Sequence, residues 1–367
     1  MRVALIHYWL VGMRGGEKVL EALCRIFPDA DIYTHVYDPD AVSPTIARHR
    51  IKTTFISRLP MARRLYQSYL PLMPQALEEL DLTNYDLVIS SESGPAKGVI
   101  PAPSAVHISY CHSPMRYLWD QYHLYKQQAG PLARLAMPLL SHRLRMWDVT
   151  SAARVDSFVA NSTHVANRIQ KYWRRDATVV HPPVAVDDFE VAPRDEVGDY
   201  YLWLGELAPY KRPDLAIAAF TRLGLPLVVI GGPQAEASSL ARDAGPTIRF
   251  LGKASFETVR HHLARCRALV FPGEEDFGLV PVEAMASGRP VVALGKGGAL
   301  DTVIDGQTGV LFNEQSVEGL VSALQAFEAQ TLYDVSPDAL VAHARQFDEN
   351  HFRDGFAAVA MSVGITL

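Results

Sequence analysis

Phe271-Pro-Gly-Glu-Glu-Asp-Phe-Gly-Leu-Val-Pro-Val-Glu-Ala-Met-Ala-Ser-Gly-Arg-Pro290 reads as one full unit of an α/β fold. The apolar run Ala268–Phe271 leads into it as a buried strand and ends in an acidic loop of Glu274, Glu275 and Asp276. Gly278 lets the chain turn, and a helix is expected from about Val280 to Ala286. Gly288 and Pro290 stop that helix, and a second buried strand, Val291–Ala293, follows. Strands that are apolar on both faces and joined through a helix belong to a parallel sheet covered on each side.

The same alternation extends in both directions. Further strands are expected at Val3–His7, Ile32–Thr34, Leu87–Ser90, Ala105–Tyr110 and Ser157–Ala160 in the first half. In the second half they are expected at Tyr201–Leu204, Leu227–Ile230 and Ile248–Phe250. Each half opens with a strand, a loop and a helix, and the 367 residues exceed what one core usually fills. Pro182–Gly198, rich in Pro, Asp and Glu without periodicity, is the expected linker. The reading is two Rossmann-like α/β domains facing each other across a cleft: residues 1–185 and residues 186–345.

Composition narrows the function. A net charge of −5 gives no basis for a nucleic-acid partner. Cys24, Cys111 and Cys266 are scattered and odd in number, which argues against a disulfide frame or a thiolate metal site. The opening run is read as a first strand rather than a signal peptide, and no apolar stretch approaches the ~20 residues of a membrane span. A cytoplasmic protein is expected, peripheral at the inner membrane if a surface feature tethers it.

Ligands of open parallel sheets sit beyond the carboxyl ends of the strands, so the loops there hold the candidates. After the first strand come Gly12, Gly15 and Gly16, then a helix expected over Lys18–Phe27. Adjacent glycines at a helix start suit a phosphate or, equally, a tight turn; the spacing is not GxGxxG. Glu275 in the acidic loop and Glu283 in the helix stand eight residues apart. Paired carboxylates there suit sugar hydroxyls, and the helix N-terminus suits a diphosphate. Solvated acids favoured by the helix dipole fit the same spacing, and spacing alone leaves both readings open.

The segment resembles the E-x7-E signature of retaining glycosyltransferases of the GT-B fold, family four. Glu275, Phe277, Gly278, Leu279, Glu283, the Ala-Met-Ala run and Gly288 carry the likeness. The resemblance implies that Glu275 contacts the donor sugar, with Phe277, Gly278 and Leu279 beside it, and that Glu283 binds the nucleotide ribose. Leu204-Gly-Glu-Leu-Ala-Pro-Tyr-Lys-Arg-Pro-Asp-Leu-Ala-Ile217 is similar to the family's second-lobe opening, where an Arg and a Lys hold the donor diphosphate. Lys211 matches that Lys, but Glu206 stands where the Arg is expected, and Arg212 is the candidate to compensate. Tyr110-Cys-His-Ser-Pro resembles the His-x-Pro segment, which implies that His112 lies against the donor sugar. Asn161 matches an Asn-Ser of structural role, and Gly252-Lys253 would lie near the base. The final helix, 346–367, is expected to return to the first domain, as in the family.

The function implied is retaining transfer of a hexose from a nucleotide diphosphate sugar to a lipid-linked or saccharide acceptor in bacterial surface polysaccharide synthesis. Mannose from GDP-mannose is favoured, because the Tyr110–Tyr117 and Pro209–Arg212 segments resemble those of bacterial surface-polysaccharide mannosyltransferases. The alternatives are a nucleotide-sugar epimerase of the same fold and a non-catalytic nucleotide- or glycan-binding protein. No cofactor or metal is expected. Asp38-Pro39-Asp40 fits a DxD trimer but reads better as a Pro-centred turn, and His261-His262 lacks a third ligand. Two basic, apolar stretches are candidates for an anionic membrane surface. One is Ile51–Leu77, with Lys52, Arg58, Arg63 and Arg64; the other is Leu132–Trp147, with Arg134, Arg143 and Arg145. Core helices with a solvated basic face fit them equally.

Overall fold

The computed structural model describes residues 1–233, 237, 239–329 and 335–366. The chain divides into two compact units, Met1–Pro183 with Phe352–Leu367, and Val184–His351.

Unit 1 is built on seven parallel strands in the order β3-β2-β1-β4-β5-β6-β7. They are β1 Val3–His7, β2 Asp31–Thr34, β3 Arg50–Thr53, β4 Leu87–Glu92, β5 Val106–Cys111, β6 Ser157–Ala160 and β7 Ala177–Val179. Unit 2 has six, in the order β10-β9-β8-β11-β12-β13. These are β8 Tyr201–Leu204, β9 Leu227–Ile230, β10 Ile248–Gly252, β11 Leu269–Phe271, β12 Val291–Leu294 and β13 Gly309–Phe312. The central strands are buried on both faces, as their unbroken apolar runs require. In each sheet the order reverses beside the first strand, between β1 and β4 in unit 1 and between β8 and β11 in unit 2. Loops leaving those adjacent strands turn to opposite faces, which opens a crevice at their carboxyl ends.

β3, β7 and β13 were not expected from the sequence. β3, β7 and β13 are all edge strands; β3 and β7 are partly exposed, and β13 opens on Gly309. The final helix spans Glu349–Ser362. Its residues Phe352, Phe356, Val359 and Ala360, spaced along one helical face, complete the core of unit 1 against Phe27 and Tyr110.

The two basic stretches part company in the structure. From Ile51 to Leu77, Phe55, Leu59, Tyr66, Tyr69 and Leu70 pack onto a satellite core around Ile56 and Met73. Lys52 donates to Asp31 at 2.8 Å and to the Tyr33 and Tyr85 hydroxyls. The second stretch lies in the helix Pro131–Ala152. There Leu132, Leu135 and Leu139 stay 85%, 82% and 59% exposed. Arg134 and Arg145 donate to backbone carbonyls, while Arg143 is exposed.

The end of β4 also anchors a buried ion cluster. Lys97 donates to Asp148 and lies 3.6 Å from Glu92. The Trp119 and Trp173 indoles donate to Asp148 at 2.9 and 2.8 Å. Burial pushes Glu92 up to about 7, although Lys97 works against the shift.

Candidate active site

In unit 2 the site residues come from the loops after β8 and β11, the two strands at the order reversal. Lys211 ends a short 3-10 turn, Pro209–Lys211, beyond β8. Its Nζ donates to Glu275 Oε1 at 2.7 Å, with both side chains largely shielded from solvent. Burial alone would lower the ammonium's pKa, but the Glu275 carboxylate beside it holds it above its ordinary value, so the lysine is charged.

This pairing depends on Gly273. A Cβ built there would lie 2.7 Å from the Lys211 Cα and 2.8 Å from the Tyr210 carbonyl oxygen. Only a residue without a side chain lets the two loops approach so closely. On its other flank the acidic loop is held by Gly297 and Gly298. The Gly298 N–H donates to the Glu275 carbonyl at 2.9 Å, and a Cβ on Gly297 would lie 2.3 Å from that oxygen.

Gly278 stands at the N-cap of the helix Leu279–Ala286 at φ 81 and, lacking a side chain, supplies no side-chain cap of its own. Glu283, in the second turn, is half-buried. The Phe277 ring is 3% exposed and packs against Phe347, so this expected donor residue offers a ligand its backbone only. Glu206, Leu207, Gly232 and Lys253 line a cavity of about 640 Å³ at the ends of β8, β9 and β10, a volume ordinary for small-molecule sites. Gly252 beside it has φ 64, and its carbonyl accepts from the Gly231 N–H at 2.8 Å.

Arg212 does not join Lys211. Its backbone is left-handed, at φ 54, at the start of helix Pro213–Leu223, and its guanidinium grips Asp214 through contacts of 2.8–3.2 Å. Compensation for Glu206 by this arginine therefore requires that it first leave Asp214.

In unit 1 the helix begins at Gly15, three residues earlier than expected, and runs to Ile26. Gly15 and Gly16 are thus its first two residues, and the Glu17 carboxylate accepts from the Arg14 N–H at 2.9 Å. The structure brings this helix start to the histidine loop: a Cβ on Gly16 would lie 3.6 Å from His112 Nε2 and 2.6 Å from the Tyr8 hydroxyl. His112 follows β5. Its N–H donates to the Glu92 carbonyl at 2.7 Å, and its carbonyl accepts from Asn161 Nδ2 at 3.0 Å, which gives Asn161 a structural part.

His7 and Ser91, at the ends of β1 and β4, stand next to His112 and were not singled out from the sequence. The signal was there: a histidine closing the apolar run Val3–His7, and Ser90-Ser91-Glu92 ending a strand that is buried throughout. Among the other histidines, His262 bonds to the Tyr200 hydroxyl at 3.1 Å, and Asp38 lies 3.5 Å from Arg63 beside the 3-10 turn Pro39–Ala41.

Residues 13–188 match the family model described as Glycosyltransferase Family 4, and residues 187–347 match that described as Glycosyl transferases group 1. Among curated proteins the chain is similar to D-inositol 3-phosphate glycosyltransferases. The one from Streptomyces avermitilis is 29% identical over 48% of this chain and 45% of its own length. That from Mycolicibacterium paratuberculosis is 31% identical over 55% and 52%. The chain thus matches about half the length of these relatives. Among solved structures, Anabaena Alr3699/HepE in complex with UDP and glucose has a TM-score of 0.71 at 17% identity, covering 98% of this chain and 99% of that one. The lipopolysaccharide outer core galactosyltransferase WaaB has a TM-score of 0.68 at 17% identity, covering 99% and 100%. These structures share the fold, two parallel-sheet α/β domains of the GT-B type. With the two models together matching residues 13–347, the chain belongs to the glycosyltransferases, a family 4 domain followed by a group 1 domain.

Proposed function

We propose that this protein transfers a hexose, mannose by preference, from a nucleotide diphosphate sugar to a lipid-linked or saccharide acceptor, with retention at the anomeric carbon. The observation that carries the reading is the Lys211–Glu275 pair, seated at the strand-order reversal over a helix N-terminus. An ammonium and the N–H groups of a helix start there match a departing diphosphate, and a carboxylate beside them matches sugar hydroxyls.

In this reading the chemistry is positioning plus leaving-group stabilisation. Lys211 and the Leu279–Ala286 helix start take the charge that develops on the diphosphate, without a metal. Glu275 accepts from hexose hydroxyls and thereby exchanges its bond to Lys211 for bonds to substrate. Glu283 takes the ribose, the cavity lined by Lys253 takes the base, and His112 donates to a sugar hydroxyl. Retention follows when the acceptor hydroxyl approaches on the side from which the diphosphate leaves. The solved neighbours named with UDP, UDP-glucose and a galactosyl transfer support a nucleotide-hexose donor of some kind.

For the acceptor, helix Pro131–Ala152 supports a membrane-borne substrate. Leu132, Leu135 and Leu139 form an exposed stripe flanked by the exposed Arg143, the pattern of a surface helix that beds into an anionic bilayer. No helix among the described residues is long and apolar enough to cross one.

The test is release of nucleoside diphosphate from GDP-mannose, UDP-glucose and ADP-glucose with a lipid-linked saccharide acceptor, the product's anomeric configuration being read by NMR. Turnover with a hexose donor, a retained anomer, and loss of at least about 100-fold in Lys211→Ala and Glu275→Ala are expected, the size of loss seen when a transition-state charge partner is removed. Near-normal turnover in either folded variant sinks the assignment.

A further inference from the structure

A chain of polar groups runs through the core of unit 1 to His112. His7 and Ser91 are register partners on β1 and β4. The Ser91 Oγ lies 3.3 Å from His7 Nδ1 and 2.9 Å from His112 Nε2. On its far side His7 Nε2 is 3.5 Å from Glu17 Oε1. Glu17, His7 and Ser91 are 2%, 1% and 1% exposed, so three polar side chains occupy core positions where apolar residues would cost less. The ordering of the sheet places the chain at the reversal between β1 and β4, where the ligand crevice of such a sheet opens.

Hydrogen bookkeeping along the chain has two solutions in which the Ser91 hydroxyl donates to one imidazole and accepts from the other. Burial would raise the Glu17 pKa, but His7 and two backbone N–H groups hold it below its ordinary value, so the group is a carboxylate. A carboxylate only accepts, and Glu17 Oε1 faces His7 Nε2 at 3.5 Å, so we place a proton on that nitrogen. With His7 neutral, its Nδ1 accepts from the Ser91 hydroxyl, whose oxygen accepts from the His112 Nε2–H; the Nδ1 of a neutral His112 is then an acceptor. With His7 protonated, Nε2–H still faces Glu17 but both bonds at Ser91 reverse: His7 Nδ1–H donates to Ser91, Ser91 donates to His112 Nε2, and the proton of a neutral His112 sits on Nδ1. The titratable groups around His7 are Glu17 from the first helix, Tyr8 stacked at 4.2 Å and His112, with Arg14 acting on Tyr8. The Tyr110 ring meets His112 edge-on at 5.2 Å.

We propose that Glu17, His7 and Ser91 are positioning residues that fix the ring orientation and tautomer of His112, with the protonation state of His7 selecting which imidazole nitrogen carries the hydrogen. The inference rests on the reading that His112 serves the donor sugar. It makes His112 a donor or an acceptor toward that sugar according to a proton held elsewhere, in the buried core.

The experiment compares Ser91→Ala and Ser91→Thr with His112→Ala in the full-length protein. Ser91→Ala is expected to lose about 10-fold in kcat with the donor KM nearly unchanged and to change the shape of the kcat–pH profile. Ser91→Thr, which keeps the hydroxyl, restores both. Independently of turnover, ¹⁵N shifts of His112 in the folded protein report its tautomer, and Ser91→Ala is expected to change the ratio of the two forms. Wild-type kcat, pH profile and ¹⁵N pattern in Ser91→Ala, beside an inactive His112→Ala, overturn the positioning role alone. A fully active His112→Ala instead overturns the functional reading beneath it.

Discussion

Replacing Gly273 by alanine adds one methyl group at the point where the loops after β8 and β11 touch. The new Cβ lies 2.7 Å from the Lys211 Cα, about 0.7 Å short of ordinary van der Waals contact at 3.4 Å. The Tyr210 carbonyl oxygen, at 2.8 Å, blocks the adjacent direction. Both obstacles are backbone atoms, so no rotamer change relieves the clash and the Lys211 loop itself must move. A displacement of that size stretches the 2.7 Å Nζ–Oε1 contact beyond a good hydrogen bond. Overpacking of this kind costs about 1–3 kcal/mol, which lowers Tm by roughly 2–12 °C in a domain of this size. Misplacing a charge partner by ~1 Å costs on the order of 100-fold in rate, so a fall in kcat of about 10- to 100-fold is expected at 25 °C, below the melting transition. The assay is release of nucleoside diphosphate by Gly273→Ala, Lys211→Ala and the double variant. If the methyl group acts through Lys211, it adds little once the lysine is gone. Fully additive losses, or wild-type turnover in Gly273→Ala, would refute the idea that this glycine positions the lysine.

Two further outcomes follow from the same structure. Glu92, raised by burial to about 7 from an ordinary 4.5, keeps a proton in the folded state that the unfolded chain has already lost. Stability attributable to it therefore falls as pH rises from 4.5 towards 7, by no more than about 3 kcal/mol; Glu92→Gln should flatten that slope in denaturant titrations at several pH values, and an unchanged slope excludes the group. On helix Pro131–Ala152, Leu132→Glu, Leu135→Glu and Leu139→Glu together remove an exposed apolar stripe and add charge of the same sign as the lipid. Binding to anionic vesicles in flotation should drop at least about 100-fold, since each leucine contributes ~1 kcal/mol when half-buried in the interface. Undiminished flotation would remove this helix from the membrane reading.

Much of the architecture was legible because central strands of parallel sheets are apolar throughout. Val3–His7 and Val291–Leu294 announce themselves by composition alone. Arg50–Thr53 does not, since an edge strand paired on one side tolerates arginine and lysine, and its place is set by Asp31–Thr34 beside it. Glu275 and Lys211 were legible as a family pattern, but Glu17 was not, because its carboxylate matters through a histidine ten residues earlier on another element. The Arg212–Asp214 ion pair was not legible either, because a pattern match names the arginine without its partner two residues on.

The amino-acid sequence by itself determined the alternation of buried strands and helices, the division into two α/β halves and the chemical types gathered in the strand-end loops. It did so because hydrophobic periodicity and glycine placement act over a few residues at a time. Only the tertiary structure decided that Lys211 meets Glu275 across 64 positions of chain and that Ser91 links His7 to His112. Those meetings depend on which strands lie side by side at the order reversals, and strand neighbours are chosen by packing of the whole sheet rather than by any local run of residues.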